Sequence, residues 1–134
     1  MIKSTNYTNA FILVSPDSTA TSGQEPSKPG SIAWIQHRLL RDRPYHFTSD
    51  DLLFLIQAER AGIPQEQWTA AREEFFAKPK ACLRTSPLVK QFGWGLHHDG
   101  RARVALHGVE SDSYRQLSEQ AGVTVVNGMR SSRR

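Results

Sequence analysis

The sequence predicts an α+β domain, a small and mainly antiparallel sheet with four helices packed on one face of it. Three observations carry this. A short apolar run, residues 10–14, stands alone near the N-terminus. An Asp99-Gly100 reversal separates two strand-like segments. Four stretches of helical periodicity, each with start and stop signals, lie between and after them. The chain of 134 residues has one domain's length. At that size about 65–70% of the unfolded surface is buried on folding, so one core suffices, and residues 1–134 are expected to fold as a single unit.

Each element follows from local chemistry. The 10–14 run, Ala-Phe-Ile-Leu-Val, reads as a strand buried on both faces. Residues 15–30 are rich in Ser, Thr, Pro and Gly without periodicity, which predicts a mobile loop inside the domain. Ser31 is placed to cap a helix over 32–42, with Ile32, Ile35 and Leu39 on its inner face and Pro44 beyond its end. The second helix, 49–61, has capping-box spacing at Thr48 and Asp51, and Gly62 to end it. Asp50 and Asp51 sit at its positive end, where capping and dipole complementation account for them. Pro64 opens a third helix to about 78, with Trp68, Ala71, Phe75 and Phe76 inward. Ser86, Pro87 and Gly93 bound a brief helical turn. A helix over 112–121, capped by Ser111 and closed by Gly122, precedes a last strand at 123–127.

Composition narrows the class. A single cysteine, Cys82, cannot form an intramolecular disulfide, and a reducing cytoplasm is the expected compartment. No apolar run is long enough for a signal core or a membrane span, so no membrane partner is expected. The formal charge of +4 rests on Arg130, Arg133 and Arg134. Without this basic tail, 128–134, the body is nearly neutral. Between Glu74 and Asp99 there is no acid, while Lys78, Lys80, Arg84 and Lys90 share the window with Phe92 and Trp94.

The hairpin "GWGLHHDG", 93–100, holds two adjacent histidines. A two-residue loop sets Leu96 opposite Arg103. A three-residue loop sets Leu96 opposite Val104 and Trp94 opposite Leu106, gathering four apolar side chains on one face, and is the register expected. Adjacent strand residues point to opposite faces, so His97 and His98 cannot share a metal ion. In this register His97 faces Arg103 and His107 faces Gly93, ~13 Å apart at ~3.3 Å per residue. No metal site and no cofactor is expected. Gly93, Gly95 and Ala105 leave one face bare of bulk, for a closely packed helix or for a ligand flanked by His97 and His107.

The local anion site is "CLRTSPLVK", 82–90. A helix start offers free amides, Arg84 a forked donor, Ser86 a hydroxyl and Lys90 a charge. Cys82, with a histidine as base, is the candidate nucleophile.

"NYTNAF" at 6–11, "YHFTSDDLLF" at 45–54, "REEFF" at 72–76, "CLRTSPLVKQFGWGLH" at 82–97 and "ALHGVES" at 105–111 together resemble a family of short proteins known as a domain of unknown function. The resemblance runs from Asn6 to the tail. It implies one compact domain and carries no activity, cofactor or catalytic residue with it.

The function expected from the residues is a binding domain for a small phosphate- or carboxylate-bearing ligand. Arg84, Ser86 and Lys90 would hold the anion, with Trp94, His97 and His107 around the rest. The alternatives are a cysteine-dependent enzyme using Cys82, and a nucleic-acid-binding or protein-interaction module using the basic-aromatic 78–94 stretch and the arginine tail.

Overall fold

A computed structural model describes residues 4–131. Its elements are β1 (Ala10–Leu13), α1 (Ile32–Asp42), α2 (Ser49–Ala61), α3 (Trp68–Phe75), α4 (Pro87–Lys90), β2 (Trp94–His98), β3 (Val104–Gly108), α5 (Asp112–Glu119) and β4 (Thr124–Asn127). The fold is α+β. The sheet order is β3-β2-β1-β4, with two antiparallel pairs and one parallel pair, β1 with β4. Arg133 and Arg134 of the basic tail lie outside the described residues.

Strand β1 is central, and Ala10, Phe11 and Ile12 are all buried. Alternation sends Ala10 and Ile12 to one face with Leu96, His98 and Val104. Helices α1 and α4 cover that face, and α2 packs on α1. Ile12, Leu40, Leu52, Leu88, Val89 and Leu96 make the main core there, each fully buried side chain contributing about 1.5–3 kcal/mol. The opposite face carries Phe11, Gly95, His97, Ala105 and His107, and α5 crosses it. The helices therefore cover both faces of the sheet rather than one. The reason is Tyr114 of α5, whose ring meets Phe11 at 5.0 Å between centroids. A smaller aromatic cluster, Phe54, Ala58 and Phe76 with Trp68 and Phe75 around it, joins α2 to α3.

The caps of α1 and α2 are where the sequence puts them, whereas Pro64 stays extended ahead of a short 65–67 turn, α3 ends at Phe75 rather than near 78, and α5 ends at Glu119, ahead of Gly122. Ser31 accepts from the Trp34 amide, Thr48 and Asp51 complete a capping box, and Gly62 closes α2 at φ 66°. The inner face of α1 is rotated from the expected one. Ile32 is 40% exposed, while Ala33, Gln36, His37 and Leu40 are buried with Ile35. Gln36 goes inward because its side-chain oxygen accepts from the Ser86 hydroxyl at 2.6 Å. The 15–30 segment is tied down at several points. The Ser15 amide donates to Val89 and the Gln24 amide to Phe92, and the Gly23 amide donates to the Glu110 carboxylate.

Asp50 does more than complement a helix dipole. Its carboxylate accepts from the Thr5 amide and hydroxyl, at 2.8 and 2.7 Å, and from the Ser4 hydroxyl at 2.8 Å. The Asn6 side chain accepts from the Asp50 amide in return. This latch fastens the chain ahead of β1 to the start of α2. Asp50→Ala strands the buried Thr5 donors and is expected to cost about 2–3 kcal/mol in urea unfolding. A loss of only ~0.3–1 kcal/mol would fit the dipole role alone.

Candidate functional site

The hairpin decides the site. The turn spans residues 99–103, not three residues, and is built on Asp99. Its carboxylate accepts from the amides of Arg101 and Arg103, at 2.8 and 2.9 Å, and Ala102 takes a left-handed φ of 65°. This moves the register two residues beyond the expected one, so that Leu96 pairs with Leu106, His97 with Ala105, and Gly95 with His107. A two-residue shift keeps every side chain on its expected face but changes its neighbours. The expected ~13 Å between the residues facing His97 and His107 is corrected: the two rings lie 6.0 Å apart.

Between them stands a residue that sequence reasoning did not single out. The Tyr45 hydroxyl lies 2.8 Å from His97 Nδ1 and 2.9 Å from His107 Nε2. Beyond it, His107 Nδ1 meets Ser113 Oγ at 2.8 Å, and Ser113 Oγ lies 3.1 Å from Ser111 Oγ. Tyr45 reaches this position at φ 56°, a sparsely populated conformation for an aromatic residue. The surrounding pairing holds it there. Its amide donates to Val104, the Val104 amide donates to Phe47, and the 45–48 segment so covers the outer edge of β3.

The proton count is fixed by these contacts. One phenol proton serves two imidazoles, and each neutral imidazole has one N–H. Tyr45 donates to one ring and accepts from the other. The chain Ser113–His107–Tyr45–His97 can thus be arranged in either direction. Burial holds His107 down to about 4, with His97 adding to the effect. Burial also lowers His97, against the pull of Asp99, and burial raises Tyr45. At neutral pH the cluster is uncharged and its hydrogen bonds are directional.

The bare sheet face is filled from within the chain. A Cβ on Gly95 would come within 2.7 Å of Phe11 Cζ and of Tyr114 Cε2. Of the two readings of the small residues, a helix side chain occupies this space.

The other expected site residues lie across the sheet or apart from it. Ser86 is buried. Its oxygen accepts from the Leu88 amide and its proton goes to Gln36. Arg84 Nε donates to the Asn127 carbonyl at 2.7 Å, while its own carbonyl accepts from Met129, so Arg84 clamps the segment after β4. Lys90 ends α4, a helix of four residues. The Trp94 indole donates to the Gln24 carbonyl at 2.8 Å and lies over Gly23 and beside His37. Ser86 and Trp94 are thus on the α1/α4 side and His97 and His107 on the α5 side, and the six do not line one cavity. Nor does the 78–94 stretch present a single surface. Lys80 lies over the Phe75 ring, and Phe92 packs against the core.

Cys82 pairs with the Tyr7 hydroxyl at 3.3 Å, a contact that with burial raises the phenol. Among the described residues no histidine nitrogen is hydrogen-bonded to the thiol. His98, fully buried on the α1/α4 side, meets the Tyr7 ring edge-on at 5.3 Å. Neither of its nitrogens has a partner among the described residues. Among the described residues no group of three or more His, Cys, Asp or Glu side chains is arranged to hold a metal ion, and no helix is long and apolar enough to cross a membrane.

One surface does gather cations. A groove of 470 Å³ runs between the 28–33 turn, Arg60 and α4. Lys28 and Arg60 line it together with Pro29, Ile32, Pro87 and Phe92, and no carboxylate among the described residues does. Neither cation forms an ion pair among the described residues. The groove opens on the start of α1, whose first turn holds no acid and whose Ile32 and Ala33 amides find no acceptor within the described residues.

The fold and its sites define a small α+β domain with a mixed four-stranded sheet, a histidine–tyrosine cluster on one face and a basic groove beside the other. The chain belongs to a family of unknown function, DUF6157, which it matches over residues 2–134. No curated protein and no solved structure matches it.

Proposed function

We propose that this protein is a binding domain for a small anion attached to an apolar body, held in the groove at the start of α1. The observation that carries this reading is the pairing of two cations, Lys28 and Arg60, with a lining in which no described residue is a carboxylate. The free amides of Ile32 and Ala33 add partial positive charge. Ile32, left 40% exposed on the rim, supplies apolar surface with Pro29, Pro87 and Phe92. A groove of this volume suits a small organic phosphate or carboxylate. This reading sets the anion apart from the expected 84–90 stretch, where the Ser86 hydroxyl is spent on Gln36 and Arg84 Nε on the Asn127 carbonyl.

Thermal unfolding against phosphate, sulfate, nucleotides and aromatic carboxylates tests the reading. A ligand at 100 times its dissociation constant adds about 2.7 kcal/mol, a rise of several degrees. The rise is expected in the wild type and is expected to vanish in the Lys28→Ala, Arg60→Ala double variant. A rise that survives there but disappears in Arg84→Ala would return the anion to residues 84–90. No rise with any compound would remove the binding function.

A further inference from the structure

The histidine cluster ends in an exposed hydroxyl, and that end carries a second proposal, independent of the groove. A nucleophile hydrogen-bonded to a base, with the base oriented by a third group, is the arrangement that activates serine. Ser113 Oγ lies 2.8 Å from His107 Nδ1, His107 Nε2 lies 2.9 Å from the Tyr45 hydroxyl, and Tyr45 is itself fixed 2.8 Å from His97 Nδ1. Ser113 is exposed, whereas the three groups behind it are half-buried. It stands in the first turn of the eight-residue α5, where the Asp112 and Ser113 amides find no acceptor among the described residues. Such amides are suited to charge developing on an adjacent oxygen. We propose that Ser113 is a nucleophile activated by His107, and that it accepts acyl groups from small carboxylic esters.

The step balances within the ester and the chain. Ser113 Oγ adds to the ester carbonyl carbon while its proton passes to His107 Nδ1. The tetrahedral oxyanion collapses, the bond to the alkoxy oxygen breaks, and that oxygen takes the proton from His107 to leave as the alcohol. Water then repeats the sequence on the acyl-serine, releasing the carboxylic acid and restoring Ser113. His107 is the base because it touches the nucleophile. Tyr45 and His97 are positioning residues. His107 is able to accept at Nδ1 when its own proton sits on Nε2, and that Nε2–H donates to Tyr45 and directs the Tyr45 proton at His97 Nδ1, so the two positioning residues select the basic tautomer.

The test uses the full chain and a fluorophosphonate probe, with adducts located by peptide mass spectrometry. Ser118, on the same helix with its hydroxyl donated to the Arg115 carbonyl, is the internal control. Ser113 is expected to be labelled about 100-fold faster than Ser118, the scale of general-base assistance. His107→Gln, which keeps hydrogen-bonding capacity but cannot act as base, should bring the two rates together. Tyr45→Phe should lower the Ser113 rate without affecting Ser118, and the wild-type Ser113 rate should fall as the histidines protonate in acid. Equal labelling of Ser113 and Ser118 in the wild type overturns the proposal, as does a Ser113 rate unchanged in His107→Gln.

Discussion

Acidification from pH 7 to pH 4 is expected to remove about 3 kcal/mol of stability through His98 alone. Burial lowers His98 from 6.5 to about 4 in the folded chain. At ~1.4 kcal/mol per pH unit, that difference sets the magnitude. The sign follows from proton counting. Between about 4 and 6.5 the unfolded chain binds the proton and the folded chain does not, so stability rises with pH across this window. It is complete above about 6.5, is lost progressively as pH falls toward about 4, and changes no further below. His107, also lowered to about 4, acts in the same direction, and its partial exposure makes its share smaller. Urea unfolding at several pH values checks this. His98→Leu should flatten much of the slope, and at neutral pH it should not destabilise strongly, because the ring's two unpartnered nitrogens already count against the core. An NMR titration placing His98 near 6.5 in the folded protein would sink the account.

Gly95→Ala is expected to destabilise the fold by about 2–3 kcal/mol, although it adds one methyl group. The new Cβ would lie 2.7 Å from both Phe11 Cζ and Tyr114 Cε2. Neither ring can yield freely. Phe11 is fully buried and edge-on to His97, His107 and Tyr114, and the Tyr114 hydroxyl accepts from the Val14 amide at 3.0 Å. Overpacking of this kind costs about 1–3 kcal/mol, and displacing Tyr114 adds a lost hydrogen bond. The melting temperature should drop by several degrees. The Gly95→Ala, Tyr114→Phe double variant separates the terms, since removing only the hydroxyl leaves the ring clash in place. A Gly95→Ala melting temperature equal to the wild type would mean that α5 does not lie on this face.

Helix α1 ends where the reading of Ser31 and Pro44 puts its ends, and α2 where Thr48, Asp51 and Gly62 do, because capping depends on residues within a few positions. The inner face of α1 is set by a distant partner instead. Periodicity alone assigns Ile32 to the core, yet it is exposed and Gln36 is buried, since the Ser86 hydroxyl that donates to Gln36 lies fifty residues away. The hairpin was legible in its faces but not in its register. Alternation is a local property of two residues, and it placed His97 and His107 together on the face opposite Leu96. Register depends on how the turn closes, and Asp99 closes it over residues 99–103 with hydrogen bonds that the Asp-Gly pair does not announce.

Of the candidate site, the two histidines were visible as residues but not as partners. Tyr45 carried no signal. It follows a proline, takes a left-handed backbone and reaches the histidines from the segment before α2. Ser113 was legible only as a position in a capped helix. The groove at Lys28 and Arg60 joins residues with no shared motif. By itself, then, the sequence determined the element types, the caps of α1 and α2, the faces of the hairpin residues and the family resemblance, for these follow from side chains and backbone within a turn or two. Only the tertiary structure decided which distant side chains meet. The hydrogen bonds between Tyr45 and the histidines, between Thr5 and Asp50 and between Ser86 and Gln36 each close over forty or more residues, and packing selects such contacts from many alternatives that the local sequence permits equally.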